Sequence, residues 1–342
     1  MAPPSGEVCL ETSVISPCDV SVVVPVGGGA PAWRRAAESL ARLDPPPGEL
    51  IAVIDGPGEA AAGIASTAGA TVSQLAERGG PARARNVGAR EAHGQILLFL
   101  DADVEVPPAL VADVAAAFNA RPSLAAVIGS YDDEPGDPGF LSQYRNLLHH
   151  YVHQTAREEA STFWAGCGAV RRQAFDDVGG FDERWTTPSI EDIELGARLR
   201  RAGHAIRLER HLRVRHLKAW RPGDLLATDL WRRAVPWTEL MIRQGRLVND
   251  LNVKTRDRAS VALALVGSVA LAGAWRWPWL AWAGLGSLLL VLVLNAGLFW
   301  FFLRRRGIGF AVKAVPAYWA YLLTCAAGFA IGYLRTLGGR RA

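Results

Sequence analysis

The chain is organised around the segment Gln95-Ile96-Leu97-Leu98-Phe99-Leu100-Asp101-Ala102-Asp103. Its five consecutive apolar residues, 96–100, are typical of a fully buried strand in a parallel sheet. Asp101 and Asp103 follow where the strand leaves the sheet, and open α/β sheets bind ligands just beyond the carboxyl ends of their strands. Acids at this spacing can bind a hard divalent cation, which in turn can bind a diphosphate. The alternative is that both acids only end the strand or cap a helix that starts near Pro107.

The surrounding sequence alternates between strand and helix patterns. Strands are predicted at 20–26 and at 50–54, and the second of them ends in Asp55-Gly56. Gly79-Gly80 then opens a helix that leads into the strand at 96–100. This alternation predicts an α/β fold with a mostly parallel sheet flanked by helices. No G-x-G-x-x-G motif stands in the context of a dinucleotide site, which argues against an ordinary dehydrogenase.

Composition narrows the class of protein further. The 342 residues suffice for one sizeable domain and an additional part, and the net charge of +4 does not suggest a nucleic-acid binder. Residues 1–19 have no apolar core, so they are predicted to be a flexible leader without a cleavable signal peptide. The cysteines lack metal-ligand spacing and are predicted to be free thiols in a reducing compartment; they are Cys9, Cys18, Cys167 and Cys325.

From residue 259 onward the chain is almost entirely apolar. About three transmembrane helices are predicted, at 259–275, 279–303 and 311–334, since about 20 apolar residues cross the hydrocarbon core. Arginines before the first segment and at 304–306 favour a cytoplasmic globular domain on a multi-pass protein of the cell (inner) membrane. Three full crossings would place Arg335 outside, against that rule, so either the positive tail is tolerated there or one segment does not fully cross. A buried helical hairpin of a soluble protein is the other alternative.

Residues 219–258 join the globular part to the apolar part. Leucines and tryptophans, among them Trp231 and Trp237, interleave with arginines. This pattern predicts amphipathic helices lying in the membrane interface. An amphipathic helix packed on the globular domain would show the same pattern.

Seven short motifs follow one another between residue 20 and about residue 237, and none is specific alone. They are Val22-Val23-Val24-Pro25, the strand ending in Asp55, Ala84-Arg85-Asn86-x-Gly88, Asp101-Ala102-Asp103, Trp164-Ala165-Gly166-Cys167-Gly168-Ala169, Gly179-Gly180-Phe181-Asp182, and Glu191-Asp192 followed by Gly203. In this order they resemble the inverting glycosyltransferases of family 2, which have the GT-A fold of nucleotide-diphospho-sugar transferases. The chain departs from the family at Gly27-Gly28-Gly29-Ala30, where relatives usually have a polar segment ending in Asn-Glu. Glycine amides can approach a ligand closely and so substitute in part.

The resemblance implies a UDP- or GDP-linked sugar donor and a Mg²⁺ or Mn²⁺ ion. The implied metal ligand is Asp103, with Asp101 near the ribose or the ion's water shell and His216 as a further ligand. His216 could equally be a surface residue, and Arg83 and Arg85 could be a solvated helix start instead of contacts to the diphosphate or base. The implied donor-binding residues are Pro25, Val26, Asp55, Arg83, Arg85, Asn86, Asp101 and Ala102.

In the resembled family the acidic pair Glu191-Asp192 carries the general base. Asp192 is the first choice and Glu191 the second. The alternative is structural, because Ser189 and Asp192 have the spacing of a capping box and could only close the start of a helix. The base must reach the acceptor hydroxyl through a hydrogen bond. The residues predicted to contact the acceptor are Trp164, Gly166, Cys167, Gly168, Trp231 and Trp237.

The sequence therefore predicts a membrane-anchored enzyme that adds one sugar at a time to the hydroxyl of a membrane lipid. A carboxylate base suits a hydroxyl acceptor, whereas a polyprenyl phosphate is already anionic and needs little deprotonation. Transfer to polyprenyl phosphate, or a part in polysaccharide synthesis, is the alternative among enzymes. A catalytically inert membrane protein that binds a lipid or nucleotide is the alternative of another class.

Overall fold

A computed structural model describes residues 14–27, 31–245 and 254–339 of the chain. Strands and helices alternate up to residue 216, and only helices follow. The strands are β1 (Val20–Val26), β2 (Glu49–Ile54), β3 (Thr71–Gln74), β4 (Ile96–Leu100), β5 (Val104–Glu105), β6 (Leu124–Tyr131), β7 (Glu159–Ala160), β8 (Cys167–Arg171) and β9 (Ala205–His216). The helices are α1 (Pro31–Leu40), α2 (Glu59–Thr67), α3 (Gly80–Glu91), α4 (Leu110–Ala120), α5 (Phe140–Thr155), α6 (Arg172–Asp177), α7 (Glu191–Arg201), α8 (Pro222–Ala227), α9 (Val235–Gln244), α10 (Thr255–Gly273), α11 (Leu280–Leu294), α12 (Ala296–Arg306) and α13 (Ile308–Gly339).

One mixed sheet organises the globular part. Its order is β3-β2-β1-β4-β8-β6-β9-β5, with β7 paired to β9. The first four strands of this order run parallel, which confirms the predicted α/β class. β8 lies antiparallel between β4 and β6, and β5 pairs antiparallel with β9. Because the chain order reverses between β1 and β4, the carboxyl ends of these two strands form a crevice where a ligand can bind.

β4 is buried on both faces of the sheet, which explains its uninterrupted apolar sequence. Ile96 and Leu98 belong to the core cluster on one face, and Leu97 and Phe99 to the cluster on the other. Successive side chains of a strand point to opposite faces, so each cluster receives every second residue. The ring of Phe99 lies 5.1 Å from that of Phe181, and Phe163 and Phe175 complete the contact.

The C-terminal helices pack on the globular domain through α5. Tyr144, Leu147 and Leu148 of α5 share a third buried cluster with residues from α10 to α13. The loop Arg304-Arg305-Arg306 is part of this contact, because Arg305 pairs with Asp133 at 2.8 Å and Arg306 donates to Gln143 Oε1 at 2.9 Å. Two of the arginines that the sequence assigned to the end of a membrane span therefore bind the globular domain.

Of the three predicted transmembrane helices, the described residues contain one that meets the length and composition of a membrane span, or two if a bent pair counts as one. The single helix of this kind is α13, which continues through Pro316. The predicted span 279–303 is broken into α11 and α12, which meet at an angle of 71° and count as a second span only if taken together. The predicted span 259–275 corresponds to α10, whose first turn carries Arg256, Asp257 and Arg258. A multi-pass arrangement is thus not supported.

The break between α11 and α12 occurs at a buried polar side chain. Asn295 donates to Ser260 Oγ at 2.9 Å and accepts a hydrogen bond from the Tyr318 hydroxyl at 3.0 Å. These partners come from α10 and α13, so the amide is satisfied by two neighbouring helices. A buried amide without partners would be costly, and this network therefore fixes the place of the bend.

Residues 219–245 form helices that pack against α13. α8 leads into a π-helical segment, Thr228–Ala234, and then into α9. Both the π-helical segment and α9 contact α13. The rest of the predicted interfacial region up to residue 253 lies outside the described residues, as do residues 1–13 of the predicted leader and residues 28–30 of the glycine segment. The last part of that leader packs on the domain, because Ile15 is buried and its N–H donates to Asn119 Oδ1 at 2.8 Å.

Candidate active site

Asp101 and Asp103 lie at the carboxyl end of β4, facing the crevice. Each side chain is about one-third exposed, at 32% and 33%. Burial would raise the pKa of Asp103, but the imidazole of His216 and the ammonium of Lys218 outweigh it and hold the pKa below its ordinary value. Burial raises the pKa of Asp101, and the guanidinium of Arg85 offsets only part of that effect. Asp103 is therefore the more readily ionised acid of the two.

His216 is brought to Asp103 by the pairing of β5 with β9. Val104 lies opposite His216 in this ladder, and Leu217 N–H donates to the carbonyl of Asp103 at 2.8 Å. His216 Nε2 lies 3.7 Å from Asp103 Oδ2. The imidazole stacks on the ring of Tyr131 with ring centres 4.2 Å apart, and this contact restricts the orientation of the imidazole.

The donor atoms at this edge of the sheet fit a divalent cation whose remaining ligands come from the substrate and water. Carboxylate oxygen suits Mg²⁺ and Mn²⁺, and Mg²⁺ is commonly held by one or two carboxylates together with substrate phosphates and water. Asp103 and His216 face each other, whereas Asp101 Oδ1 accepts from Arg85 at 2.7 Å. Within residues 14–27, 31–245 and 254–339, no three His, Cys, Asp or Glu side chains form a closed ligand set. The residues that could hold the ion are Asp103 and His216, with Asp101 beside them.

Arg85 connects the two acidic parts of the site. Its side chain is 5% exposed, and it donates to Asp101 Oδ1 at 2.7 Å and to Glu191 Oε1 at 3.0 Å. Both Nη atoms are thus occupied beneath the crevice. Arg85 thus holds two of the protein's own acids, and its predicted contact with the donor diphosphate or base stays a prediction.

Asp192 lies on the first turn of α7, next to Glu191. Burial raises the pKa of Asp192 to about 7, and the negative charge of Glu191 contributes to this rise. Asp192 Oδ2 accepts from Ala165 N–H at 3.2 Å and Oδ1 from Ile193 N–H at 2.7 Å. A carboxylate with this pKa is suited to exchanging a proton near neutral pH.

The capping-box alternative for Asp192 does not match the helix start. α7 has Ile190 as its N-cap residue, and no side chain caps it. Ser189 instead donates through its hydroxyl to the carbonyl of Arg232 at 2.8 Å, which ties α7 to the π-helical segment. Glu191 accepts from Ser189 N–H at 2.8 Å through Oε2 and from Arg85 through Oε1. Both acids accept hydrogen bonds through both oxygens, but only Glu191 is bonded to a cation, so it is the less available base of the two.

The predicted donor-binding residues divide into two groups. Asp55 accepts from Gly79 N–H at 2.7 Å and from Gly80 N–H at 3.1 Å, so it closes the turn before α3. Gly80 has φ +85°, and an added Cβ would overlap the backbone of Thr186, so this turn requires glycine. Arg83 folds back over this turn and is partly exposed. Asp55 and Arg83 thus lie together at one end of the crevice.

The other predicted donor residues are largely structural. Asn86 is buried, donates to the carbonyl of Phe181 at 2.8 Å and accepts from Phe181 N–H at 2.9 Å. It therefore holds the Gly179-Gly180-Phe181-Asp182 turn, and its predicted role in donor binding stays a prediction. Pro25 and Val26 are buried at the end of β1, and Ala102 lies partly exposed between the two acids.

The motif 164–169 provides one side chain to the crevice. Trp164 is partly exposed, and its ring lies 4.8 Å from the rings of Tyr131 and His149. Cys167 and Gly168 belong to β8 and pair with β4, and burial raises the pKa of the Cys167 thiol to about 12. The side chain of Cys167 lies in the core, and the predicted contact of this residue with the acceptor stays a prediction. Gly166 leaves room for the Trp164 ring, which an added Cβ would overlap.

Trp231 and Trp237 lie on the π-helical segment and on α9. Trp231 is half exposed and carries the guanidinium of Arg335 over its ring at 5.4 Å, whereas Trp237 is mostly covered. Only Trp231 thus presents a large surface. Its acceptor role stays a prediction.

Four residues of the site were not identified from the sequence. Arg233, from the π-helical segment, acts electrostatically on Asp192, Tyr131 and Lys218. Burial lowers the pKa of Lys218, and it lowers that of His149 well below the ordinary value with a contribution from His153. The only sequence feature that points to Arg233 is its position among tryptophans. No sequence feature points to Tyr131 or His149. These residues are Tyr131, His149, Lys218 and Arg233.

Residues 21–179 match the family described as Glycosyl transferase family 2. Two strains of Mycobacterium tuberculosis, CDC 1551 / Oshkosh and ATCC 25618 / H37Rv, have a pre-mycofactocin glycosyltransferase that is 30% identical over 224 residues. The match covers 63% of this chain and 44% of each relative, so the chain spans less than half the length of these relatives.

The structure was also compared with solved structures. It is similar to the mannosyltransferase PcManGT from Pyrobaculum calidifontis, solved in complex with GDP-Man and Mn²⁺, with a TM-score of 0.55 and 18% identity. The match covers 91% of this chain and 87% of that one. At this identity the likeness concerns the fold.

Proposed function

Because residues 21–179 form a family 2 glycosyl transferase domain with the GT-A fold, we propose that the protein transfers a single sugar from a UDP- or GDP-linked donor to a hydroxyl of a membrane lipid. The reaction inverts the anomeric carbon. The globular domain works at the cytoplasmic face of the cell membrane, to which the apolar C-terminal helices bind it.

One observation carries this proposal. The bonds of Arg85 to Asp101 and Glu191 join the segments that carry Asp103 and Asp192, which supports assigning the metal ligand and the base to one site. A cation held by Asp103 would neutralise charge on the departing nucleoside diphosphate. Asp103 thus acts on the leaving nucleoside diphosphate and Asp192 on the acceptor hydroxyl of the same substitution.

The chemical step is a direct substitution at the anomeric carbon. Asp192 accepts the proton of the acceptor hydroxyl while the oxygen forms a bond to the anomeric carbon. The bond between that carbon and the diphosphate oxygen breaks on the opposite side, and the nucleoside diphosphate leaves with the electron pair. The configuration at the carbon inverts because attack and departure occur on opposite faces.

The acceptor is tested by a panel of compounds. Purified protein in detergent is incubated with Mn²⁺, UDP- and GDP-sugars, and lipid alcohols, and released nucleoside diphosphate is measured. The names of the mycobacterial relatives add pre-mycofactocin as a candidate acceptor. Turnover that requires a lipid alcohol supports the proposal. Metal-dependent nucleotide binding without turnover on any pair would instead favour an inert binding protein.

A polyprenyl phosphate is the second candidate acceptor, and the cations of the site favour it. Lys218 lies within electrostatic reach of both Arg232 and Arg233, next to Asp103. Such a group of cations can bind an acceptor phosphate as well as the leaving diphosphate. The acceptor phosphate needs no base, so turnover that survives Asp192→Asn would establish this alternative.

The pH dependence of the reaction should report Asp192. Because its pKa is about 7 and the base must be ionised, we expect kcat/KM to rise tenfold per pH unit below about pH 7 and to level off above it. Glu191→Gln removes a like charge that raises this pKa, so the rising limb should move to lower pH. The measurement is the pH profile of kcat/KM for both proteins. If the rising part of the kcat/KM profile stayed at the same pH in Glu191→Gln, the assignment of Asp192 as the base would be contradicted.

The metal site is tested by Asp103→Asn. We expect kcat/KM to fall at least about a hundredfold and the Mn²⁺ concentration for half-maximal activity to rise, because a charged ligand at such a site contributes several kcal/mol. Glu105→Gln is the matched control, since Glu105 lies two residues further and pairs with Arg35 at 2.9 Å. An unchanged Mn²⁺ dependence in Asp103→Asn would contradict the site.

A further inference from the structure

The first part of α13 rests on the catalytic domain. The ring of Phe310 lies 5.2 Å from that of Phe140, at the start of α5. Just before α13, Arg306 donates to the carbonyl of Asp133 at 2.6 Å. α5 itself is tied to the sheet, because His150 contacts the carbonyl of Tyr131 at 2.7 Å. The beginning of α13 is therefore fixed beside the active-site domain.

The last part of α13 rests on the π-helical segment and on α9. An added Cβ at Gly328 would overlap Ala234, which shows how closely α13 approaches the π-helical segment. Arg335 lies 3.9 Å from Glu239 of α9 and covers the ring of Trp231. In the middle, Tyr321 lies under Arg145 of α5 at 5.6 Å, and Arg145 pairs with Asp229 at 2.7 Å. α13 thus contacts α5, the π-helical segment or α9 from one end to the other.

The length of these contacts argues against a crossing. Residues 310 and 335 are about 38 Å apart along a helix that rises 1.5 Å per residue, whereas the hydrocarbon core is about 30 Å thick. If α13 crossed, α9 and the π-helical segment would have to enter the bilayer with it. The ion pair Arg145–Asp229 and the carboxylate of Glu239 would then lie in or beyond hydrocarbon, which is costly for charged groups.

The opposite face of α13 and the neighbouring helices fit a lipid bilayer. Apart from Val14, every large exposed apolar side chain of the described residues lies between 226 and 337. Tryptophans, which favour the membrane interface, crowd the turn between α10 and α11; they are Trp275, Trp277, Trp279 and Trp282. Arg304 lies over the ring of Trp300 at 5.0 Å, so a cation borders the apolar surface where anionic head groups would be.

We propose that α13 lies in the plane of the membrane, between the catalytic domain and the lipid, and does not cross it. Both of its ends are then on the side of the catalytic domain, and Arg335 obeys the preference of positive charge for the cytoplasmic side. This inference rests on the membrane association proposed above. Three crossings would place the C-terminal end of α13 outside the cell. In the in-plane arrangement this end stays on the cytoplasmic side, and α13 covers the region next to Trp231.

The test compares two single-site reporters of sidedness in the full chain. Both chains carry Cys9→Ser and Cys325→Ser, and Cys167 is buried. The first chain keeps Cys18, an exposed thiol of the catalytic domain, and the second has Cys18→Ser with Gly338→Cys. An added Cβ at Gly338 meets no atom within 4 Å, so the substitution should not disturb packing. A membrane-impermeant maleimide is applied to intact bacterial cells and to inverted membrane vesicles.

We expect both chains to be labelled in inverted vesicles and neither in intact cells. Labelling of Gly338→Cys in intact cells, with Cys18 labelled only in inverted vesicles, would overturn the in-plane helix and leave the membrane association standing. Fractionation before labelling separates the two proposals. Recovery of the protein as an oligomer in the supernatant would show that a second copy covers the apolar surface, and would overturn the membrane association itself.

Discussion

Asp192→Asn is expected to lower kcat/KM by about 10²–10⁴-fold, the usual contribution of a positioned general base. The amide keeps the size of the side chain, and its single oxygen can accept from either Ala165 N–H or Ile193 N–H, but it cannot take the acceptor's proton. The residual activity should lose the pH-dependent limb near pH 7. Steady-state rates with a lipid alcohol from pH 5 to 9 measure both effects.

The same variant should be more stable than the parent protein above neutral pH. The pKa of Asp192 is raised from 3.8 to about 7, so the folded protein binds this proton more tightly than the unfolded chain does. The stability that the protonated group contributes is complete below about pH 4 and is lost as the pH rises through about 7. Asn has no proton to lose, so the Tm of Asp192→Asn should exceed that of the parent at pH 8.

Asp176→Asn is the matched control for both measurements. Asp176 is exposed on α6, away from the crevice, so neither the rate nor the Tm at pH 8 should change appreciably. If Asp192→Asn kept full activity on a hydroxyl acceptor, Asp192 would not be the base. If it lost activity together with Tm, its role would be structural.

The sequence predicted the elements whose information is local. The first strand at 20–26 and the central strand at 96–100 were found with the same bounds, because apolar runs between turn signals mark buried strands. The carboxylates at the strand end and the acids at the start of α7 were also located. These features depend on neighbouring residues, so a single sequence suffices for them.

The features that were missed depend on partners far away in the chain. Arg85 at a helix start has the same local pattern whether it faces solvent or lies between Asp101 and an acid 106 residues further on. β8 pairs antiparallel with β4, which no periodicity within β8 indicates. The broken span at Asn295 likewise follows from Ser260 and Tyr318 on other helices. Apolar length alone suggested a continuous crossing.

Arg85→Ala should have the largest effect on stability. Glu191 is buried with a 6% exposed side chain, and the substitution would leave it and Asp101 without their shared cation. Removing one partner of a buried ion pair costs about 3–5 kcal/mol, and the one-third exposure of Asp101 favours the lower end of that range. We expect the free energy of unfolding to fall by about 3 kcal/mol, measured by denaturant titration in detergent.

The same substitution should change the base. The positive charge of Arg85 lowers the pKa of Asp192, so its loss should raise that pKa further and move the rising limb of kcat/KM to higher pH. Arg85→Lys keeps the positive charge but lacks the planar guanidinium that bridges the two carboxylates. It should therefore shift the pH profile of kcat/KM only slightly while still lowering the free energy of unfolding. Arg90→Ala, on the exposed face of the same helix, is the control and should leave both unchanged. A loss of stability without any shift of the pH profile would mean that Arg85 only supports the fold. A shift of the profile would mean that Arg85, which binds Asp101, also sets the pKa of the base Asp192, so that the two acids are electrostatically coupled.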